Sequence, residues 1–297
     1  MSKFEKVSFR QACRTFQFST SSYRYHPKKK DGDQEVHEAL VSIAEKRPTW
    51  GFWKMYHKLR LDGIKLNHKR IYRLYKEARL NKRRKTRRRV AKRIKLPLLQ
   101  PLMPNLHWSM DFMRDSLFQG KPFRSFNVID DFNREALNIT VAKSITSERV
   151  IDELKRLIEW RGKPEKIRVD NGPEFIAEAL KQWCEHPDRN IELVYIQKGK
   201  PNQNGYIERF NKTFREDILD SYLFEDLQDA QEYANNWIYM YNNERPHESL
   251  NNLPPTMFLL KYGKLHGSFK RLNEFPTFQQ DNNYIKQNKL IHLTVAK

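Results

Sequence analysis

Between residues 105 and 262 the chain carries three strand-like segments in direct succession, LHWSMDFM, FRSFNVIDDF and EALNITVA, and then alternates helix and strand. The first two are joined at Gln119-Gly120, a turn signal. A helical pattern over 147–161 follows, then strand KIRVD, helix EFIAEALKQWCEH and strand IELVYIQ. The helices GYIERFNKTFREDIL and LQDAQEYANNWIYMYNN close the region. Hairpin-spaced strands followed by helix–strand alternation leave few options. They predict a mixed five-stranded sheet flanked by helices, an α/β core.

The charge of the chain narrows its partners. Lys and Arg total 56 against 36 acids, a formal charge of +20, which favours a polyanion, with nucleic acid the commonest. Cys13 and Cys184 are far apart and form neither a metal motif nor a disulfide framework, as expected of a reducing, cytoplasmic setting. No run of about 18 apolar residues spans a membrane, and MSKFEKVSFRQACRTF lacks the apolar stretch of a signal peptide.

Ahead of the α/β region the sequence reads as small all-α units. Within residues 1–30, Phe9, Ala12, Cys13 and Phe16 recur at helical spacing, and Ser19 is positioned to cap a second short helix, a helix-turn-helix-like pair. HPKKKDGD reads as a linker. Residues 33–84 form a second helical unit, with Val36, Leu40 and Ile43 on one helix and Phe52, Trp53, Tyr56 and Leu59 on the next. Asp62-Gly63 then turns the chain, and Asn67 caps a helix striped by Ile71, Leu74, Tyr75 and Ala78. Its other side offers Lys69, Arg70, Arg73 and Lys76, a face suited to a major groove. From Arg79 to Lys95, 11 of 17 residues are Lys or Arg, among them Arg83, Arg84, Arg87 and Arg88, a run expected to meet phosphates. Pro97, Pro101 and Pro104 end this linker over 85–104, and a tail over 263–297 follows the core.

Three acids stand out: Asp111 in HWSMDFMRD, Asp170 in KIRVDNGPEF and Glu208 in GKPNQNGYIERFNKTF. The first two lie in or at the ends of short apolar runs, the third on one face of an amphipathic helix. Adjacent strands can bring Asp111 and Asp170 side by side, and a helix across the sheet can deliver Glu208 opposite them. Hard oxygen ligands of this kind suit Mg²⁺, with Mn²⁺ as a substitute. Asp130 and Asp131 compete for the first position but read as a strand end and turn. Glu174 opens a helix, where a carboxylate suits the macrodipole. On the glutamate helix, Tyr206, Phe210, Phe214 and Ile218 form the apolar stripe, leaving Asn204, Glu208, Asn211, Lys212 and Arg215 on the opposite side. The loop QKGKPNQNG before it, with Lys200, lacks a core stripe. His107, Trp108 and His247 lack zinc spacing and read as packing or hydrogen-bonding groups. Arg245 and His247 read as core buttresses or DNA contacts.

WSMDF, VIDDFNREAL, DNGPEF, GKPNQNGYIERFNKTFR and YNNERPHESL occur in this order, and with it the chain resembles the insertion-sequence transposases, specifically the OrfB product of the IS-three family. The likeness extends from the N-terminal RQACRTFQFSTSSYRY to about Pro255. It implies an RNase H-like core similar to that of retroviral integrases and an Asp-Asp-Glu triad at Asp111, Asp170 and Glu208 holding two Mg²⁺ ions. The 37 residues between Asp170 and Glu208 slightly exceed the family's usual spacing, with the surplus expected in a loop within CEHPDRNIEL. The resemblance also implies double-stranded DNA as substrate, binding of terminal inverted repeats, strand cleavage and transfer, a homo-oligomeric synaptic complex and nucleoid association. An upstream-frame partner, OrfA, is a further expectation. Two rivals are a nuclease of the same core without joining activity and a non-catalytic DNA-binding regulator.

Overall fold

The computed structural model describes residues 8–25, 32–82, 98, 100–197 and 201–263. The basic arm from 83 to 97, Lys200 and the tail beyond 263 lie outside them. So do four of the cations expected to meet DNA: Arg83, Arg84, Arg87 and Arg88.

Helices α1 (Phe9–Thr15) and α2 (Thr20–Arg24) form the expected pair. Ser8 caps α1, its side chain accepting from the Gln11 N–H. The tight turn is made by Gln17, whose φ of 49° is the left-handed conformation that glycine adopts more easily. Phe9 packs on Tyr23 with ring centroids 4.8 Å apart, joining the two helices.

Helices α3 (Asp33–Lys46), α4 (Phe52–Leu61) and α5 (His68–Glu77) make the second unit. Val36, Leu40, Met55, Tyr56, Leu59, Ile71, Leu74 and Tyr75 are its buried side chains. Gly63, at φ 96°, turns the chain after α4, and Asn67 Oδ1 accepts from the Lys69 N–H to cap α5. Trp53 departs from the expected apolar face: it is 59% exposed, while Trp50, in the loop before α4, is buried. Trp50 and Met55 are continuous with the apolar cluster of the α/β core, so the two units share one packed interior.

The core sheet holds β1 (His107–Ser116), β2 (Pro122–Asp130), β3 (Ala136–Ala142), β4 (Lys166–Val169) and β5 (Glu192–Tyr195) in the order β3-β2-β1-β4-β5. β1, β2 and β3 pair antiparallel, whereas β4 and β5 add in parallel. That division follows the connections, because hairpins join antiparallel neighbours and helical crossovers join parallel ones. It is the mixed, helix-flanked five-stranded sheet expected.

Alternation along the strands sends side chains to two faces. Trp108, Met110, Phe126, Val128, Ile167 and Val169 meet α6 (Ser147–Arg161) and α8 (Glu178–Glu185) on one side. Met113, Phe123, Ile129, Ile139 and Val141 meet α9 (Gly205–Phe214) and α10 (Leu227–Asn243) on the other. The single helix expected over EFIAEALKQWCEH is broken. A short α7 (Pro173–Ile176) ends at Ala177, which is extended at φ −53° and ψ 130°. The break lets Phe175 stack on Phe112 at 4.7 Å while Leu180 and Cys184 are buried in the same cluster. After α9 the backbone widens into a π-helical turn, Arg215–Leu219, and α11 (Pro255–Tyr262) closes the described chain.

Candidate active site

Asp111 occupies the middle of β1, and the parallel register with β4 pairs Ser109 with Arg168. Continued by two residues, that register sets Asp111 level with Asp170, the residue directly after β4. Neighbouring strands run about 4.8 Å apart, so the two carboxylates arise side by side on one face. Asp170 Oδ1 accepts from the Gly172 N–H at 2.9 Å. A Cβ at Gly172 would stand 3.0 Å from that oxygen, which is why glycine follows the Asp-Asn pair.

Ile207, Phe210 and Phe214 anchor α9 on this face of the sheet and leave Glu208 exposed on the helix's outer side. Asn211, one turn further, points inward and is 7% exposed. Its Nδ2 donates to Asp111 Oδ2 at 2.8 Å, and its Oδ1 accepts from Asn127 Nδ2 at 2.7 Å. Asn127 is fully buried on β2, directly opposite Asp111 in the strand register. Asp111 Oδ1 accepts from the Phe112 N–H at 2.8 Å. The Asp111 carboxyl is pushed up to about 6: burial raises it most, the Phe112 and Asn211 bonds lower it, and Asp170 and Glu208 both raise it.

Asp170 and Glu208, both remote in sequence, thus each act electrostatically on Asp111. Among the described residues no three Asp, Glu, His or Cys side chains form a group that could hold a metal ion, so these carboxylates share a field without a closed ligand shell. Their chemistry still fits a divalent cation. Carboxylate oxygens are the hard donors such an ion takes, and the Asp111 carboxyl resists ionisation chiefly through burial, with Asp170 and Glu208 adding to it.

The competing acids are committed elsewhere. Asp130 is fully buried and accepts from the Asn105 and Phe132 N–H groups, each at 2.9 Å. Asp131 accepts from Ser109 Oγ and pairs with Arg168, both at 2.7 Å. Glu174 is ion-paired with Arg124, whose guanidinium lies 4.3 Å from the centre of the Phe112 ring. Trp108 donates to Asn105 Oδ1 at 3.1 Å. Arg245 is a buttress, pairing with Asp217 at 2.6 Å. The His247 ring is held far below its usual range, to about 3, chiefly by burial.

The expected DNA contacts divide. Lys69 is exposed, and Lys76 lies 4.9 Å from the centre of the Tyr72 ring. Arg70 and Arg73 both pair with Asp33, at 2.7 and 2.6 Å. Lys212 is exposed, with Glu216 at 3.7 Å. Arg215 pairs with Asp115 at 3.1 Å and donates to the Arg114 carbonyl at 2.8 Å. Asn204 is 3% exposed, buried just ahead of α9 rather than on the outer side the helical spacing suggested. Asn211 departs from that side in the same way. The helical wheel alone did not mark Asn211 and Asn127 as a pair. The available signal was a lone amide within the apolar run FNVI.

Comparisons with known proteins bear on the family of the chain. Residues 101–201 and 189–255 match models of the integrase core domain, and residues 30–89 match an HTH-like domain. The chain is 38% identical over 256 residues to the uncharacterized 31.7 kDa protein of insertion element IS407 of Burkholderia multivorans, covering 86% of this chain and 92% of that protein. It is also 38% identical over 258 residues to the uncharacterized 39.2 kDa protein of insertion element IS476 of Xanthomonas euvesicatoria, covering 86% and 73%. Among solved structures, the HTLV-2 integrase catalytic core in complex with magnesium aligns with 53% of this chain and 97% of its own, at 20% identity and a TM-score of 0.40. From the sequence matches, the chain belongs to the insertion-sequence transposases, with an integrase core domain preceded by an HTH-like domain.

Proposed function

We propose that this chain binds the terminal inverted repeats of its own element and catalyses DNA cleavage and strand transfer with Asp111, Asp170 and Glu208 as the triad. The observation that carries the reading is the level placement of Asp111 and Asp170 on parallel neighbours, with the Glu208 helix packed across the same face.

In the first step water attacks a phosphodiester at an element end, and the P–O3′ bond breaks to leave a 3′-hydroxyl and a 5′-phosphate. In the second step that 3′-oxygen attacks a target phosphodiester and displaces the target's own 3′-oxygen. Bound by the triad, two Mg²⁺ ions, or Mn²⁺ in their place, would activate the attacking oxygen and stabilise the leaving one. The protein's own groups hold the geometry. Asn211 and the Phe112 N–H fix both oxygens of Asp111, and the Gly172 N–H fixes one oxygen of Asp170.

In this reading the helical units at 1–30 and 33–84 bind DNA, the second of them through Lys69, Arg70, Arg73 and Lys76. The arm at 85–104 tracks phosphates, the core occupies 105–262, and 263–297 is a tail. Lys200, Lys212 and Arg215 steady the strand near the cut. Synapsis of two ends calls for a homo-oligomer on the nucleoid, with an upstream-frame OrfA product as a further partner.

The test compares the parent with Glu208→Gln on duplexes carrying an element end, and on pre-cut ends with a free 3′-hydroxyl. Loss of both cleavage and joining in the variant supports the triad. Equal cleavage by the two proteins removes the assignment, and cleavage by the parent without transfer of the pre-cut end identifies a nuclease.

A further inference from the structure

The loop between α3 and α4 seats the helical domain on the core. Arg47 donates to Glu244, at the end of α10, at 3.2 Å. Thr49 Oγ1 donates to one oxygen of Asp217, in the π-helical turn after α9. Trp50 is buried in the apolar cluster that also holds Phe210, Phe214 and Trp237.

At Asp217 these contacts reach the helix of the catalytic face. Trp237 Nε1 at 3.1 Å and Arg245 Nη1 at 2.6 Å donate to its second oxygen. Trp237 in turn packs on Phe210 and Phe214, with ring centroids 5.3 and 5.0 Å apart. Those two rings belong to the buried side of α9, whose exposed side carries Glu208. The π-helical turn continues α9 directly, so Asp217 and Glu208 share one helical stretch. Across the junction, Thr49 leads into α4, and Phe52 at its start packs edge-on against Tyr72 and Tyr75 of α5 at 4.9 and 5.4 Å. The exposed Lys69 and Lys76 stand on that same α5.

Apolar burial is non-directional and does not by itself choose one orientation of two domains. A hydrogen bond does choose, because it weakens steeply away from linearity. The Thr49 bond ends on a carboxylate that is only 7% exposed, where a lost donor is costly to leave unreplaced.

We propose that Thr49 and Asp217 are positioning residues. They set the interval along DNA between the sequence held by the helical domain and the phosphodiester presented to Asp111, Asp170 and Glu208. The proposal rests on the transposase reading and adds the device that chooses which bond is cut.

Thr49→Val removes the hydroxyl at nearly constant volume and leaves Asp217 its Trp237 and Arg245 donors, whereas Thr49→Ser keeps the bond. Both full-length variants, shown folded by their melting curves, are compared with the parent on an end-labelled duplex carrying an element end. Thr49→Val should bind the duplex as the parent does, because α5 is untouched. Its cutting at the parental phosphodiester should fall by on the order of 10²-fold, with new cuts at neighbouring positions. Thr49→Ser should restore the single cut. A second measurement needs no activity: pulsed electron paramagnetic resonance between spin labels at Glu38→Cys on α3 and Lys155→Cys on α6, both exposed positions, while the native thiols are buried. One narrow distance is expected in the parent, with and without duplex, broadened in Thr49→Val and recovered in Thr49→Ser.

Parental cutting by Thr49→Val at the parental position, or a distance distribution as narrow as the parent's, overturns the proposal. An equal loss at every position, with no spread, marks a general structural role and overturns it too. If the parent cuts and joins DNA while those results hold, the transposase reading stands without this device. If the parent cuts no element end, the catalytic reading falls and takes the proposal with it, while the distances still decide whether the docking is rigid.

Discussion

The Asn211 side-chain amide donates to Asp111 Oδ2 at 2.8 Å while its carbonyl accepts from the buried Asn127 at 2.7 Å. The helix that carries Glu208 is thus tied by a side chain to the strand that carries Asp111. Register between helix and sheet therefore depends on two amides that make no contribution to a metal shell.

Replacing Asn211 with Leu should leave the Asn127 amide without its partner and free one Asp111 oxygen. We expect a stability loss of roughly 1–3 kcal/mol, the usual cost of an unsatisfied buried polar group, measured by urea unfolding. Strand transfer should fall further than that loss explains, since the folded fraction stays near unity. Parental turnover in the folded variant would show that the tie is dispensable.

Asp111 gives a pH prediction with a definite sign. Its carboxyl is raised from 3.8 to about 6 in the folded chain, chiefly by burial, so the protonated form is favoured by folding. Its contribution is therefore fully present below about pH 4 and is lost as pH rises through about 6. Asp111→Asn should then be the more stable protein at pH 7, by on the order of 2 kcal/mol, with the advantage gone by pH 4. Paired denaturant melts at the two pH values check this, and the same variant should neither cut nor join.

Divalent ions should act through the same carboxylates. Mg²⁺ or Mn²⁺ is expected to raise the melting temperature of the parent, by about 1.4 kcal/mol of stability at an ion concentration ten times Kd. Asp111→Asn and Glu208→Gln should show much smaller shifts. An equal shift in all three proteins would place the ions elsewhere.

Gly172→Ala isolates the close approach at Asp170. The added methyl would stand 3.0 Å from Oδ1 and force the carboxylate to move, although Gly172 has an ordinary backbone conformation. The expected outcome is a large fall in cleavage with a melting curve close to the parent's. A parental cleavage rate would show that Asp170 tolerates the displacement.

On α5, Lys69→Gln and Lys76→Gln should weaken DNA binding more than Arg73→Gln does. Arg73 already shares Asp33 with Arg70, so part of its charge is spent within the domain. Binding curves over a salt series distinguish the three, and a larger loss from Arg73→Gln would mean that DNA displaces Asp33.

Local patterning in the sequence determined most of the elements. Period-2 apolar runs marked β1 to β5, helical stripes marked α3 to α6 and α10, and turn chemistry marked Gly63, Asn67 and Gly120. These signals are short-range, because they follow from which side chains can share a face. The motif order likewise singled out Asp111, Asp170 and Glu208, since each sits in its own local pattern. Tertiary structure decided the remainder. Only packing across the sheet turned Asn211 and Asn204 inward, broke the helix at Ala177 so that Phe175 could meet Phe112, and exposed Trp53 while burying Trp50. Only three-dimensional proximity engaged Arg70 and Arg73 with Asp33 and brought Thr49, Trp237 and Arg245 onto Asp217. Side-chain direction and charge pairing depend on neighbours distant along the chain, and a linear pattern carries no record of them.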